Sequence, residues 1–188
     1  MTTATPIRKA GARERLIEAA ERLFYAEGIH AVGVDRLCAE AEVSKRSLYQ
    51  HFTGKDEVVV AMLRAQAAKA AAHLVPDGGS PRDRILAVFD ALDQQADAPD
   101  FRGCPFLAAA TELKDRKHPA VQVACEQKVA LAAYFTEAVR SGGGSDPDVL
   151  ALQLVLLFDG ASAYSTVRGG STPATRQAVE TLLGAHGM

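Results

Sequence analysis

Residues 43–55, Val-Ser-Lys-Arg-Ser-Leu-Tyr-Gln-His-Phe-Thr-Gly-Lys, gather cationic, hydroxyl, amide and phenolic groups into one short stretch. Those groups suit the phosphate oxygens and base edges of duplex DNA. Ser44 reads as a helix N-cap, because its hydroxyl can accept from the free amides of a first turn. The turn then exposes Lys45, Arg46 and Ser47 together, within reach of phosphates and base edges. Leu48 and Phe52, four apart, face inward with Val43, which leaves Tyr49, Gln50, His51 and Lys55 at the outer edge. One face packs and the other reads.

The residues upstream supply the elements that hold this helix. Val34, Leu37, Cys38 and Ala41 repeat at helical spacing and stop three residues before Ser44, the spacing of a helix-turn-helix. Arg36 on that helix is a further candidate for contact with DNA. Leu16, Ile17, Ala20, Leu23 and Phe24 form the apolar stripe of a longer helix ending at Gly28, a residue suited to a positive-φ C-terminus. Thr53 with Asp56 resembles a capping box that starts a fourth helix, 55–74, with Val59, Met62 and Leu63 facing inward.

Gly28, Val34 to Ala41, and Val43-Ser44-Lys45-Arg46-Ser47-Leu48-Tyr49 through His51-Phe52 and Lys55 resemble the N-terminal signature of TetR-family transcriptional repressors. The resemblance spans about 50 residues, more than a generic helix pair would match. It implies an all-α homodimer with a DNA-binding head and a larger body, whose small-molecule ligand lowers operator affinity. It also implies base-edge contacts from Lys45, Arg46 and Ser47, and phosphate contacts from Tyr49, His51 and Lys55. The family usually has Thr or Ser where Gly33 stands and Gly where Glu42 stands. Gly33 is an acceptable N-cap, and Asp35 in the first turn favours the helix dipole. Glu42 is expected at positive φ, at a cost of about 1 kcal/mol.

The body announces its helices by proline after a capping residue at Ser80-Pro81, Asp146-Pro147 and Thr172-Pro173. Pro105 and Pro119 mark two more starts. The expected helices are 81–97, 105–113, 119–141, 147–168 and 174–186, about nine in the whole chain. The expected domains are a helix-turn-helix head, 1–54, and a ligand-binding and dimerisation body, 55–188, with 55–74 as connecting helix. Linkers fall at 75–80, 98–103, 142–146 and 169–172. Helix 147–168 is apolar on nearly every side and needs cover all round. Either it pairs with a second copy alongside Val179, Leu182 and Leu183, or it is the central helix of a monomeric bundle.

Phe89, Phe106, Phe135 and Tyr164, with Phe101, Tyr134 and Phe158, lie on helices that the resemblance places around a ligand cavity. For any single one of them the simpler reading is core. Asp159 follows four apolar residues and needs a partner. It either anchors a polar group of a ligand or pairs with a basic side chain. His118, before Pro119, reads as a capping or surface residue.

Composition narrows the classes. The formal net charge is −2, but residues 1–70 hold 11 Lys and Arg against 9 Asp and Glu, whereas residues 71–188 hold 10 against 14. The head is the more basic part, as a DNA-binding head should be. No signal-peptide pattern opens the chain, and the greasiest run, Val149 to Phe158, is too short to cross a bilayer, so a cytoplasmic protein is expected. Cys38, Cys104 and Cys125 are odd in number and lack metal-type spacing, as for reduced thiols, with a redox role for Cys104 or Cys125 left open. An enzyme on a helical scaffold is the main alternative, yet no two Glu-x-x-His motifs point to a di-iron bundle, and no phosphate-cradling glycine loop or nucleophile elbow is present. No catalytic residue, cofactor or metal is expected. A helix-turn-helix module that no longer reads DNA is the third reading, favoured only by Glu42.

Overall fold

Helix α1 (Ala12–Glu27) buries Leu16, Ala19, Ala20, Leu23 and Phe24 as one stripe, with Ile17 half-buried at its edge. It stops at Gly28, where φ is +92° and the amide bonds back to the Phe24 carbonyl at 3.0 Å. The structure, a computed structural model, describes residues 11–73 and 79–188, and every regular element among them is helical. The expected placements for residues 1–10 and 74, and most of the linker 75–80, lie outside the described residues.

The head continues with α2 (Val34–Glu40) and α3 (Lys45–His51), which pack on α1 and on each other. Gly33 occupies the N-cap of α2 in an extended conformation, and Leu37 and Cys38 are buried below it. The turn is tight. The amides of Glu42 and Val43 bond to the carbonyls of Ala39 and Cys38 at 3.2 and 3.0 Å. Glu42 has φ +52°, as the turn requires. Replacing it with Gly relieves about 1–2 kcal/mol of left-handed strain and adds about 0.5–1 kcal/mol of unfolded-state entropy. Glu42→Gly is therefore expected to raise the melting temperature by up to about 6 °C, read by thermal denaturation; a lower value would show that the turn is not strained.

Helix α4 (Lys55–His73) buries Val58, Val59, Met62 and Leu63 in its first half. Its start corrects one expectation. The carboxylate that reaches back to Thr53 belongs to Glu57, which accepts from the Thr53 amide at 2.6 Å and from its hydroxyl at 2.9 Å, in place of the expected Asp56. Because α4 opens at Lys55, Glu57 lies on the turn facing Thr53. Those hydrogen bonds hold the Glu57 carboxyl below the usual carboxylate range. The described chain divides into two compact units, Met1–Ala65 and Gln66–Met188, with the division falling within α4.

The second unit contains α5 (Pro81–Ala96), α6 (Pro105–Leu113), α7 (Pro119–Ser141), α8 (Pro147–Arg168) and α9 (Pro173–Ala185). Proline occupies the first turn of each. Ser80 forms a full capping box with Asp83, and His118 accepts from the Ala120 amide at 3.1 Å. Asp146 and Thr172 differ from expectation. They stand at N-cap positions without a side-chain cap bond, Asp146 being left-handed at φ +48° rather than in the extended conformation that capping uses. The core joins Ile85 and Phe89 of α5, Leu131 and Phe135 of α7, Leu150 and Leu154 of α8, and Val179 and Leu183 of α9.

Helix α8 has two apolar sides. Leu150, Ala151, Leu154 and Val155 face the core, while Val149, Leu152, Leu156, Tyr164 and Val167 are exposed. The expectation that its apolar run is too short for a bilayer is corrected: by length and composition alone the 22-residue helix qualifies, with a window of mean hydropathy 1.4. The run continues past Phe158 through small residues that a count of large apolar side chains misses. Such a test is also passed by helices that pack on protein along two faces.

Candidate nucleic-acid interface

Helix α3 is held from below by three anchors. Leu48 is fully buried, Phe52 is 3% exposed, and the Arg13 guanidinium lies 5.4 Å from the Phe52 ring centroid. Arg15 Nε donates to the Ala41 carbonyl at 3.0 Å and fixes the end of α2 against α1. Arg22 pairs with Glu40 at 3.1 Å and reinforces the same junction from the surface. The cap forms as expected, with the Ser47 amide donating to Ser44 Oγ at 3.1 Å.

This scaffold leaves Lys45, Arg46, Tyr49, Gln50 and His51 exposed, with Ser47 half-buried beside them. Positions 45, 46, 49 and 50 share one side of the helix. Arg46 makes no hydrogen bond or ion pair among the described residues, so its five donors are available. Lys45 is engaged by the Asp35 carboxylate on α2, and the hydrogen bond between them holds the ammonium above the ordinary lysine range. Arg36 is tied to Glu27 at 3.3 Å. Cys38, beneath this surface, has its thiol pushed up by burial and by Asp35, and so stays neutral.

Lys55 departs from its expected place at the outer edge. Its ammonium donates to the Ile29 carbonyl at 2.9 Å and the Val32 carbonyl at 3.2 Å, closing the loop that follows α1. A carbonyl pair 23 and 26 residues away carries no local signature, and for that reason the sequence reading missed it. Asp35 and Arg13 were missed likewise; a first-turn acid and an arginine near an aromatic are too common to signal such contacts alone.

In the second unit the expected ligand residues separate. Phe89 and Phe135 are buried and stacked at 6.0 Å, and Phe158 meets Phe89 edge-on at 6.1 Å, so these rings fill the core in this conformation. Phe106 is buried on α6. Tyr164 differs from its expected place: it is 54% exposed, on the same outward side of α8 as Leu156. Asp159 resolves its alternatives toward pairing, since Lys128 of α7 binds its carboxylate directly. Burial of that carboxylate next to Phe158 leaves it dependent on a cation. Lys128 itself was not anticipated, because a lysine on an amphipathic helix usually points to solvent.

No group of His, Cys, Asp and Glu among the described residues is arranged to hold a metal ion. Residues 16–62 match the family model of bacterial regulatory proteins, tetR family. A candidate TetR-type transcriptional regulator from Streptomyces avermitilis superposes with a TM-score of 0.89 at 48% identity, over 95% of this chain and 100% of that one. A TetR-family transcriptional regulator from Streptomyces coelicolor superposes with a TM-score of 0.86 at 32% identity, over 94% and 96%. The HTH-type transcriptional regulator LmrA of Bacillus subtilis is 28% identical over 170 residues, which span 86% of this chain and 89% of that protein.

Proposed function

The chain belongs to the TetR family of transcriptional regulators, and from this premise we propose that it represses transcription as a homodimer on a palindromic operator and is released by a small, mostly apolar effector. Members of this family bind operator DNA as dimers and are not enzymes. The observation that carries the reading is the unpaired Arg46 beside Lys45 on the exposed first turn of α3, behind a formed Ser44 cap.

First-turn residues of a recognition helix enter the major groove, so Lys45, Arg46 and Ser47 read base edges while Tyr49 and His51 hold phosphates, with Gln50 between the two sets. Lys45 must exchange Asp35 for DNA, and Arg36 must exchange Glu27. Lys55 supports the site by fixing the start of α4, and its expected phosphate contact gives way to that role. The exposed apolar side of α8, with Leu157 of α8 and Ala178 and Leu182 of α9 at the groove between the helices, is the surface offered to a second copy. Two heads then sit about one turn of DNA apart, about 34–36 Å, or a multiple of it. A DNA-binding protein of this kind works in the cytoplasm.

The effector site belongs to the body, among α5, α6, α7 and α8, with Phe106 at its wall and Phe89 and Phe135 repacking to admit a ligand. Ser162 Oγ on α8 is buried without a hydrogen-bond partner, which favours a polar group of the effector at that point. Helix α4, part head and part body, links occupancy to head orientation. A coupling of about 1–3 kcal/mol weakens operator binding roughly 5- to 150-fold. By linkage, operator DNA weakens effector binding by the same factor. Titration of the protein with the DNA upstream of its own gene, with and without a compound found by screening, checks this; equal effector affinity in both titrations rules out derepression by that compound.

A further inference from the structure

Cys104 is a free, half-buried cysteine at the N-cap of α6, and Lys128 Nζ of α7 donates to its sulfur at 3.5 Å. The ammonium is itself held by Asp159 and lies 5.4 Å from the centroid of the Phe158 ring. The first-turn amides of α6 have no side-chain cap, so a helix N-terminus and a cation converge on one thiol. These are the surroundings that make a cysteine a nucleophile. A second observation points to a guest. The Ser162 hydroxyl is 1% exposed, has no partner, and lies 3.8 Å from where a Cβ on Gly103 would sit. Gly103 has φ +88°, and a Cβ there would come within 2.8 Å of Thr166 Oγ1, so only glycine lets the loop carry Cys104 this close to α8.

We infer that Cys104, Lys128 and Ser162 form a site that captures soft carbon electrophiles of the α,β-unsaturated carbonyl class as thioethers. The thiol loses its proton to solvent, and the sulfur electron pair forms a bond to the β-carbon. The alkene pair moves toward the carbonyl oxygen, and the resulting enolate takes a proton from the Lys128 ammonium, which regains one from water. No oxidant is consumed. The Ser162 hydroxyl donates to the carbonyl oxygen, and Phe158 supplies a flat apolar wall for a conjugated molecule. Asp159 is a positioning residue that keeps Lys128 over the sulfur. The site deepens the proposed function by naming an effector class, and it rests on that reading only for its regulatory meaning.

The test uses the full chain without DNA, so its failure leaves the repressor reading standing. The protein is treated with 2-cyclohexen-1-one, and each cysteine is followed by peptide mass spectrometry. Cys104 is expected to be alkylated faster than Cys125, although Cys125 is the more exposed, and buried Cys38 should stay unmodified. Lys128→Met should slow Cys104 at least about tenfold, a modest loss for removing a positioned proton donor, while Lys128→Arg retains sulfur stabilisation and slows it less. Cys125 reports that the reagent is unaffected, and circular dichroism with thermal denaturation reports that the variant is folded. If Lys128→Met unfolds, the wild-type comparison of Cys104 with Cys125 decides alone. Alkylation of Cys104 no faster than Cys125, or an unchanged rate in folded Lys128→Met, overturns the inference.

Discussion

Leu156→Asp is expected to leave the protein monomeric and to abolish tight operator binding. Leu156 is 64% exposed on the outward side of α8, so the substitution removes no core packing and the monomer should remain folded. In a symmetric pair each copy would place this aspartate in the same apolar contact, so the desolvation of an unpaired carboxylate is met twice. Several kcal/mol per charge is enough to undo a dimer of ordinary size. A single head retains only its own contacts, and the second half-site no longer adds to them. Leu182 makes a poorer choice, because it also packs against the core of its own chain and its loss would mix folding with assembly. Sedimentation equilibrium together with fluorescence anisotropy on duplex DNA measures both effects. A folded Leu156→Asp dimer would place the interface elsewhere, and a monomer that still binds tightly would remove the need for one.

Arg46→Ala comes second in expected effect. The side chain is exposed and makes no hydrogen bond or ion pair among the described residues, so its removal should not change the melting temperature. A bidentate contact to guanine is worth about 1–3 kcal/mol, and a dimer makes it once per half-site. Binding to the operator should therefore weaken by roughly tenfold to a few hundredfold per head, and discrimination against altered bases at one position should relax. Competition titrations with single-base operator variants resolve the two effects. Equal loss on every sequence would demote Arg46 to a phosphate contact. Lys55→Ala offers the contrast: by removing the ammonium that bonds the Ile29 and Val32 carbonyls it should lower head stability, and DNA affinity only through that loss.

Much of this protein was written locally in its sequence. Proline after Ser80, Cys104, His118, Asp146 and Thr172 marked each helix of the body, and Ser44 three residues before Ser47 marked the cap of α3, because the first turn of a helix is decided by groups within four residues of one another. The split of α3 into Leu48 and Phe52 below and Arg46 and Tyr49 above followed from the same short period. Long-range partners were decided only by packing. Lys55 turned from the surface to carbonyls 23 and 26 residues away, and Lys128 turned inward to Asp159 and Cys104. Phe135 became a stacked core ring, while Tyr164, on a neighbouring helix of similar composition, faced outward. Helical spacing fixes which residues share a face of one helix. Which face meets which neighbour depends on how all the helices pack together, so a lysine or an aromatic ring has its role settled only when distant segments close around it.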